Sequence, residues 1–407
     1  MNLDPFDSKY RCMRLFVSFC CALCALSVSI SAQEWKTVKD GVEYAQVTKE
    51  ISGLNVNMNL LRLDLKKVRL DVVHAMDAAI GTEKTSSIAT RHGALAAINA
   101  GFFRLDTSIW AGEDVGLLKI DGNVLSENHS GRVALMIKNF PLETNVAISQ
   151  LNTTVDLFCV RNASSPRLRE TCPGHGRHVA GINRERGNNE IVVFTPEFGR
   201  TTLTNSDGLE VVVGKGSRVL DVRDGIGSNP IPSDGIVVSA SGSFRELLRG
   251  IKVGDILFFG MPKIDIYAKH PRPNGDDNER ASYYEDIVSG VPQLIKDGKI
   301  DITWEQEKTT KSFVETRHPR TAVAKLKDGK FLMITVDGRS ESSGGIGLQD
   351  LAEYLLSLGA TDAMNLDGGG STTMFLDGKV VNHPSDKEGE RRVGDAILVT
   401  LRKPTRE

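Results

Sequence analysis

A chain of 407 residues with 40% hydrophobic and 25% charged content has room for one large domain or two medium ones. Its formal net charge of -2 offers no basic field, so no nucleic-acid partner is expected. Neither a solenoid repeat nor a low-complexity tract interrupts it, which excludes array and fibrous architectures.

The chain opens with Lys9, Arg11 and Arg14, then the apolar run Leu15 to Ile30, then the small residues Ser31 and Ala32. That order is the one a signal peptide requires, and sixteen apolar-leaning residues with Ser18, Ser27 and Ser29 among them are short for a membrane anchor. Residues 1–32 are therefore expected to be cleaved near Ala32. The mature protein is then secreted or extracytoplasmic, with no stable membrane anchor. Cys12, Cys20, Cys21 and Cys24 leave with the leader, and Cys159 and Cys172 remain. In an oxidising compartment this pair favours a disulfide over free thiols, because no histidine-containing catalytic motif accompanies either. Asn128, Asn152 and Asn162 each begin a glycosylation sequon, which matters only in a host that glycosylates.

Beyond the leader, short alternating or β-rich runs dominate: Leu60 to Leu65, Val68 to Val73, Gly116 to Ile120, Val133 to Ile137, Glu190 to Thr195, Glu210 to Val213, Gly235 to Ser239, Asp255 to Phe259, Thr321 to Leu326, Lys330 to Val336, Thr373 to Leu376 and Asp395 to Leu401. Helical spacing is clearest at Leu348 to Leu358, closed by Gly359, and weaker at Thr85 to His92 and Ser243 to Gly250. These predict an α+β protein of strand-rich mixed sheets with a few helices and a single large domain. Residues 33–84 read as an N-terminal strand-rich segment and residues 85–403 as the main domain. Lys269 to Arg280, rich in proline and charge, predicts a solvated loop.

Asp-Gly occurs ten times, so each copy is first a turn. Asp121, Asp297, Asp328 and Asp377 sit in tight-hairpin contexts and are assigned to structure. Two copies depart from that pattern. Asp337-Gly338-Arg339 ends a strand and enters a long Ser/Gly loop. In Asn365-Leu366-Asp367-Gly368-Gly369-Gly370-Ser371, a short strand runs into three glycines. Such a run permits positive φ or close main-chain approach to a ligand, and its amides can form an anion nest. A sharp strand-to-strand turn explains it equally well. Neither a P-loop nor the dinucleotide fingerprint fits its spacing, so phosphate binding needs a cation from elsewhere.

Arg320 is the candidate, opening the strand that hairpins through Asp328-Gly329 back to Asp337. Counting from the turn puts both at the same end, where both can face one site, and a guanidinium matches phosphate bidentately. Asn99-Ala100-Gly101-Phe102 adds a polar residue beside an aromatic, read either as a strand end with core phenylalanines or as a sugar face.

In order and spacing these segments resemble the phosphodiester glycosidase family. The resemblance rests on Ala97 to Phe103, Gly290 to Leu294 with Asp297-Gly298, His318 to Ala322, Val336 to Arg339, Asn365 to Thr372 and Arg391-Arg392-Val393, and spans roughly residues 90 to 401. It implies hydrolysis of a sugar-1-phosphodiester in a glycan, glycolipid or wall polymer. Its shared polar positions fall on Asn99, Arg320, Asp337, Arg339, Asn365, Asp367 and Ser371, which implies catalytic roles for Asp337, Asp367, Asn365 and Arg320 and substrate contacts from Asn99, Arg339 and Ser371; Phe102 and the Gly368, Gly369 and Gly370 amides are added to the substrate contacts from the local reading above. The expected partner is a carbohydrate phosphodiester, and no cofactor or catalytic metal is expected, because no zinc-ligand spacing is present. Two other classes stay open on the same residues: a non-catalytic glycan-binding or envelope-scaffold protein, and a metal-dependent phosphodiesterase that cleaves P–O.

Overall fold

The computed structural model describes residues 34–128, 131–161, 171–172, 175–260, 263–266, 281 and 283–403. The expected leader, the Asn162 sequon and the Lys269 to Arg280 loop lie outside them. An eight-stranded sheet organises the fold, in the order Lys36–Lys39, Val42–Ile51, Leu54–Leu63, Phe331–Val336, Arg320–Leu326, Ala360–Asn365, Gln293–Lys296 and Lys299–Ile300. Every pairing in it is antiparallel. Leu54–Leu63 pairs with Phe331–Val336, so strands from the 33–84 segment share a sheet with the C-terminal third of the chain.

Two further sheets close the main core. One has five strands, with Ala96–Asn99 between Met374–Leu376 and Asp395–Leu401; the other has six, with Arg132–Asn139 near its centre. Alternation along the strands sends Leu61, Val323, Met333 and Met364 from the large sheet against Ile98, Ile397, Val133 and Leu135 from the others, all buried. Complete burial of each such side chain contributes about 1.5–3 kcal/mol. A second cluster, including Val193, Val211, Val238 and Leu248, fills another five-stranded sheet built from residues 181–224 and 236–240. Parallel pairing occurs there, between Gly181–Ile182 and Ile191–Phe194. The architecture is α+β and strand-rich, as the sequence predicts.

Four helices stand among the described residues: α1 (Thr85–Arg91), α2 (Ser243–Arg249), α3 (Lys311–Glu315) and α4 (Leu348–Ser357). Three match the predicted spans, and α4 buries Leu348, Leu351 and Leu355 as its spacing requires. The short α3 carries too few residues for a 3.6-residue period to register; it is fixed instead by Thr310, whose hydroxyl accepts the Phe313 N–H. Cys159 and Cys172 form the expected disulfide. Asn128 is buried, its amide donating to the Leu151 carbonyl.

The Asp-Gly pairs divide by geometry. Asp121-Gly122, Asp297-Gly298 and Asp377-Gly378 have positive φ at both residues, the tight two-residue hairpin turn. At Asp328-Gly329 only the glycine is left-handed, and Leu326 and Lys330 close a longer loop through Leu326 N to Lys330 O, 2.9 Å. No helix among the described residues is long and apolar enough to cross a membrane.

Candidate active site

The strands Arg320–Leu326, Phe331–Val336 and Ala360–Asn365 are adjacent in the large sheet and bring the predicted residues to one end of it. Arg320 pairs with Val336, not with Asp337. Side chains alternate along a strand, so Arg320 and Asp337 leave opposite faces. The expectation that both face one site is corrected by this one-residue register.

Arg320 points toward α3 and α4 and is 2% exposed. Its Nε donates to the Ile346 carbonyl at 3.3 Å, and one terminal nitrogen donates to the carbonyls of Phe313 (2.7 Å) and Thr316 (2.8 Å). The guanidinium also lies 4.9 Å from the Phe313 ring centroid, a cation–π contact. Burial, with Arg339 nearby, lowers its pKa to about 10. With Nε and one terminal nitrogen committed to main-chain carbonyls, its fork is not free for the bidentate phosphate contact expected of it. In this arrangement Arg320 holds the loops that precede the site strands.

Asp337 is buried on the other face. Its Oδ1 accepts the His383 N–H at 3.0 Å and an Asn382 amide hydrogen at 3.4 Å. Burial raises its pKa despite these donors. The main chain is fixed on both sides: Asp337 N donates to Asn57 O at 2.9 Å, and the Ser343 hydroxyl donates to Asp337 O at 2.7 Å.

Asp367 is clamped by the end of the Ala96–Asn99 strand. Its N–H donates to Ala100 O at 2.9 Å, and the Asn99 amide donates to Asp367 O at 2.7 Å. Asn99 Oδ1 accepts from the Thr321 hydroxyl and the Thr373 N–H. Asn99 is therefore a buried pin between three segments, and no part of it reaches outward as a sugar contact. Asn365 is likewise buried, its amide donating to Val291 O and Leu366 O, both at 2.7 Å. Phe102 packs against Phe313 at 6.1 Å between centroids. Burial raises the Asp367 pKa to about 6, against the lowering effects of Ser371, the Gly368 N–H and Arg391.

The glycine run is required here, though not as a three-amide nest. Gly368 N donates to Asp367 Oδ1 (2.8 Å) and Gly369 N to Pro319 O (2.9 Å), so both amides are engaged inside the protein. What the glycines allow is close approach. Gly369 has φ +61, and a Cβ on it would lie 3.1 Å from the Arg339 guanidinium. A Cβ on Gly370 would lie 2.1 Å from Arg391 and 2.2 Å from Asp386, which form an ion pair at 2.7 Å.

Arg339 is exposed, in the left-handed region at φ +59, with one nitrogen 3.4 Å from His318 Nδ1 and no carboxylate partner among the described residues. A non-glycine residue held at positive φ stores strain of the kind concentrated at functional sites. Burial, with Arg320 and Arg339 nearby, lowers the His318 pKa. Arg339, Ser340, Asn382, His383, Asp386 and Lys387 line an open cleft of about 580 Å³. Asn382, His383, Asp386 and Arg391 escaped sequence reasoning as site residues. Arg391 stood within a quoted motif, but the polar pair after the Asp377-Gly378 hairpin carried no local signal. Of metal-ligating groups, the described residues bring together Cys159, Cys172 and Asp255, and the two sulfurs there are bonded to each other.

Comparison with known proteins finds similarity over part of the chain. Residues 207–400, which include Asp337, Asp367, Arg320 and the glycine run, match the family described as phosphodiester glycosidase. The N-acetylglucosamine-1-phosphodiester alpha-N-acetylglucosaminidase of Mus musculus is 30% identical over 165 residues, covering 38% of this chain and 30% of that enzyme. A SPbeta prophage-derived protein of Bacillus subtilis (strain 168) is 39% identical over 107 residues, covering 26% of this chain and 16% of its own length. The match thus spans less than a third of either relative. A hypothetical protein from Synechocystis shares the fold, with a TM-score of 0.72 at 23% identity over 91% of this chain and 64% of that one. The family match over residues 207–400, just under half of the 407-residue chain, makes this segment similar to the phosphodiester glycosidase family.

Proposed function

We propose that the protein is an extracytoplasmic hydrolase that cleaves a sugar-1-phosphodiester between the anomeric carbon and the phosphate oxygen. The observation that carries this reading is that two aspartates with pKa raised by burial, Asp337 and Asp367, each follow the end of a strand flanking Arg320–Leu326, with the exposed Arg339 two residues beyond Asp337. A carboxyl poised near pH 6 suits proton transfer, and a guanidinium without a carboxylate partner suits a phosphate. The leader pattern and the Cys159–Cys172 disulfide support an oxidising, extracytoplasmic setting.

In the reaction, Asp337 as carboxylate attacks the anomeric carbon or takes a proton from the attacking water, and the C–O bond to phosphate breaks with its electron pair on the phosphate oxygen; in the first case water then attacks the same carbon, breaks the bond to Asp337 and gives up its proton to Asp367. A phosphate monoester with a second pKa near about 6 leaves as an anion, so less help from a general acid is needed than for an alcohol. Arg339, exposed in the cleft lining and without a carboxylate partner among the described residues, replaces Arg320 and the three-amide nest as the group that receives it. Asp367, protonated in part at neutral pH, supplies or accepts the remaining proton.

The test is hydrolysis of a panel of sugar-1-phosphodiesters in ¹⁸O-labelled water. Label on sugar C1 is expected. Label on phosphate, with activity lost on chelation and restored by a divalent ion, would replace this reading with metal-dependent phosphodiesterase chemistry; no turnover of any sugar, with binding retained, would favour the glycan-binding alternative.

A further inference from the structure

We propose that Asn382 is a positioning residue for this reaction: it ties Asp337 to the far end of the glycine loop and fixes Oδ2 as the carboxylate atom presented to substrate. The inference rests on the role given to Asp337 above, and the geometry that supports it is independent of that role. Asn382 makes three contacts on three segments. Its Nδ2 donates to Thr372 O at 3.0 Å and to Asp337 Oδ1 at 3.4 Å, and its Oδ1 accepts the Met374 N–H at 2.7 Å. Thr372 directly follows the glycine loop, and Met374 begins the Met374–Leu376 strand, which pairs with Ala96–Asn99, the strand whose end clamps Asp367. One amide side chain thus connects the frames of both aspartates.

The neighbouring residue completes the arrangement. His383 N–H reaches the same oxygen, Asp337 Oδ1, at 3.0 Å. Both donors fall on Oδ1, and no hydrogen bond from the described residues reaches Oδ2. A carboxylate held through one oxygen loses rotational freedom about its Cβ–Cγ bond and keeps the other oxygen for chemistry, the preorganisation that a nucleophile or base requires. Asn382 and His383 line the open cleft, as does Gly338, the residue after Asp337, so the groups that hold the buried carboxylate lie between it and the space a substrate would enter.

The arrangement has an electrostatic consequence. The Asn382 and His383 donors stabilise the ionised carboxylate against the burial that disfavours it, as does the His383 ring. The other titratable group that interacts with Asp337 among the described residues is Tyr44, from strand Val42–Ile51, whose own pKa is raised by burial and by Asp337. Its hydroxyl donates to Asn59 Oδ1, not to the carboxylate. Removing the Asn382 donor therefore raises the Asp337 pKa further, and activity that needs the ionised form is lost from the acid side.

The decisive variant is Asn382→Asp. It keeps an oxygen to accept from Met374, replaces the donor with a second carboxylate, and so separates anchoring of the strand from positioning of Asp337. Kinetics on an active sugar-1-phosphodiester are expected to show kcat reduced about tenfold or more at pH 7, KM changed less than threefold, and the acid limb of the kcat profile displaced upward by at least one pH unit. Asn382→Ala should lower kcat with a smaller displacement. His383→Ala retains the main-chain N–H and loses only the ring, so it should displace the acid limb upward by less than Asn382→Asp does. If Asp337→Asn abolishes turnover while Asn382→Asp keeps wild-type kcat and acid limb, Asn382 has no positioning role. If Asp337→Asn is itself active, the reading of the site fails first. A fall in kcat for Asn382→Asp with an unmoved acid limb also overturns the proposal, since general loosening of the fold would do as much.

Discussion

Replacing Asp367 by Asn is expected to make the protein more stable and much less active at the same time. The Asp367 carboxyl is raised by burial from an ordinary 3.8 to about 6. Below pH 3.8 it is protonated in both folded and unfolded chains and contributes nothing to pH dependence. As pH rises from about 4 to about 6 the unfolded chain releases its proton first, so the folded state loses stability through that window and the full cost is present above it. A shift of roughly two units corresponds to about 3 kcal/mol, at 1.36 kcal/mol per unit. Asparagine is the right substitution because its Oδ1 can still accept the Gly368 N–H, 2.8 Å away. Urea unfolding should therefore find Asp367→Asn more stable than wild type by about 2–3 kcal/mol at pH 7.5 and indistinguishable from it near pH 3.5. Turnover should fall on the order of 100-fold or more at every pH. Equal unfolding free energies at pH 7.5, or a variant less stable there than wild type, would refute the claim that this carboxyl is held at a burial cost.

Asp337→Asn should also reduce turnover on the order of 100-fold with the fold retained, whereas Asp377→Asn, at a left-handed hairpin turn that is not part of the cleft lining, should keep near-normal kinetics; equal losses in both would dissolve the distinction between turn and site aspartates. Arg320→Lys should lower stability by about 2–4 kcal/mol, measured by chemical unfolding, because a single ammonium cannot serve the Ile346, Phe313 and Thr316 carbonyls together. An intact fold with only KM raised would return Arg320 to direct phosphate binding. Gly370→Ala should displace the Asp386–Arg391 pair, since its Cβ would fall 2.1 Å from Arg391, and activity should drop at least tenfold while circular dichroism stays native. Denatured, unreduced mature protein should show no titratable thiol, as expected of the Cys159–Cys172 bond.

Much of this protein is written locally in its sequence. Period-two alternation, Asp-Gly turns and the leucine spacing of Leu348 to Leu358 each depend on residues within a few positions of one another, and the strands, hairpins and α4 follow from them. The unusual glycine run and the two Asp-Gly copies outside hairpin contexts could be singled out for the same reason. What the sequence could not supply was partnership across the chain. Register between Arg320–Leu326 and Phe331–Val336 is decided by how the two strands pack in an eight-stranded sheet, and a one-residue difference sends Arg320 and Asp337 to opposite faces. The amides of Gly368 and Gly369 look free in a linear reading and are taken by Asp367 and Pro319 in the fold. Asn99 and Asn365 are functional-looking polar residues that long-range contacts convert into buried pins, while Asn382 and His383, unremarkable in sequence, meet Asp337 only because the polar segment after a distant hairpin is laid beside it. Hydrogen bonds and burial act over a few ångströms of space whatever the separation along the chain, so local chemistry named the candidate groups and tertiary structure alone decided which of their atoms remain available.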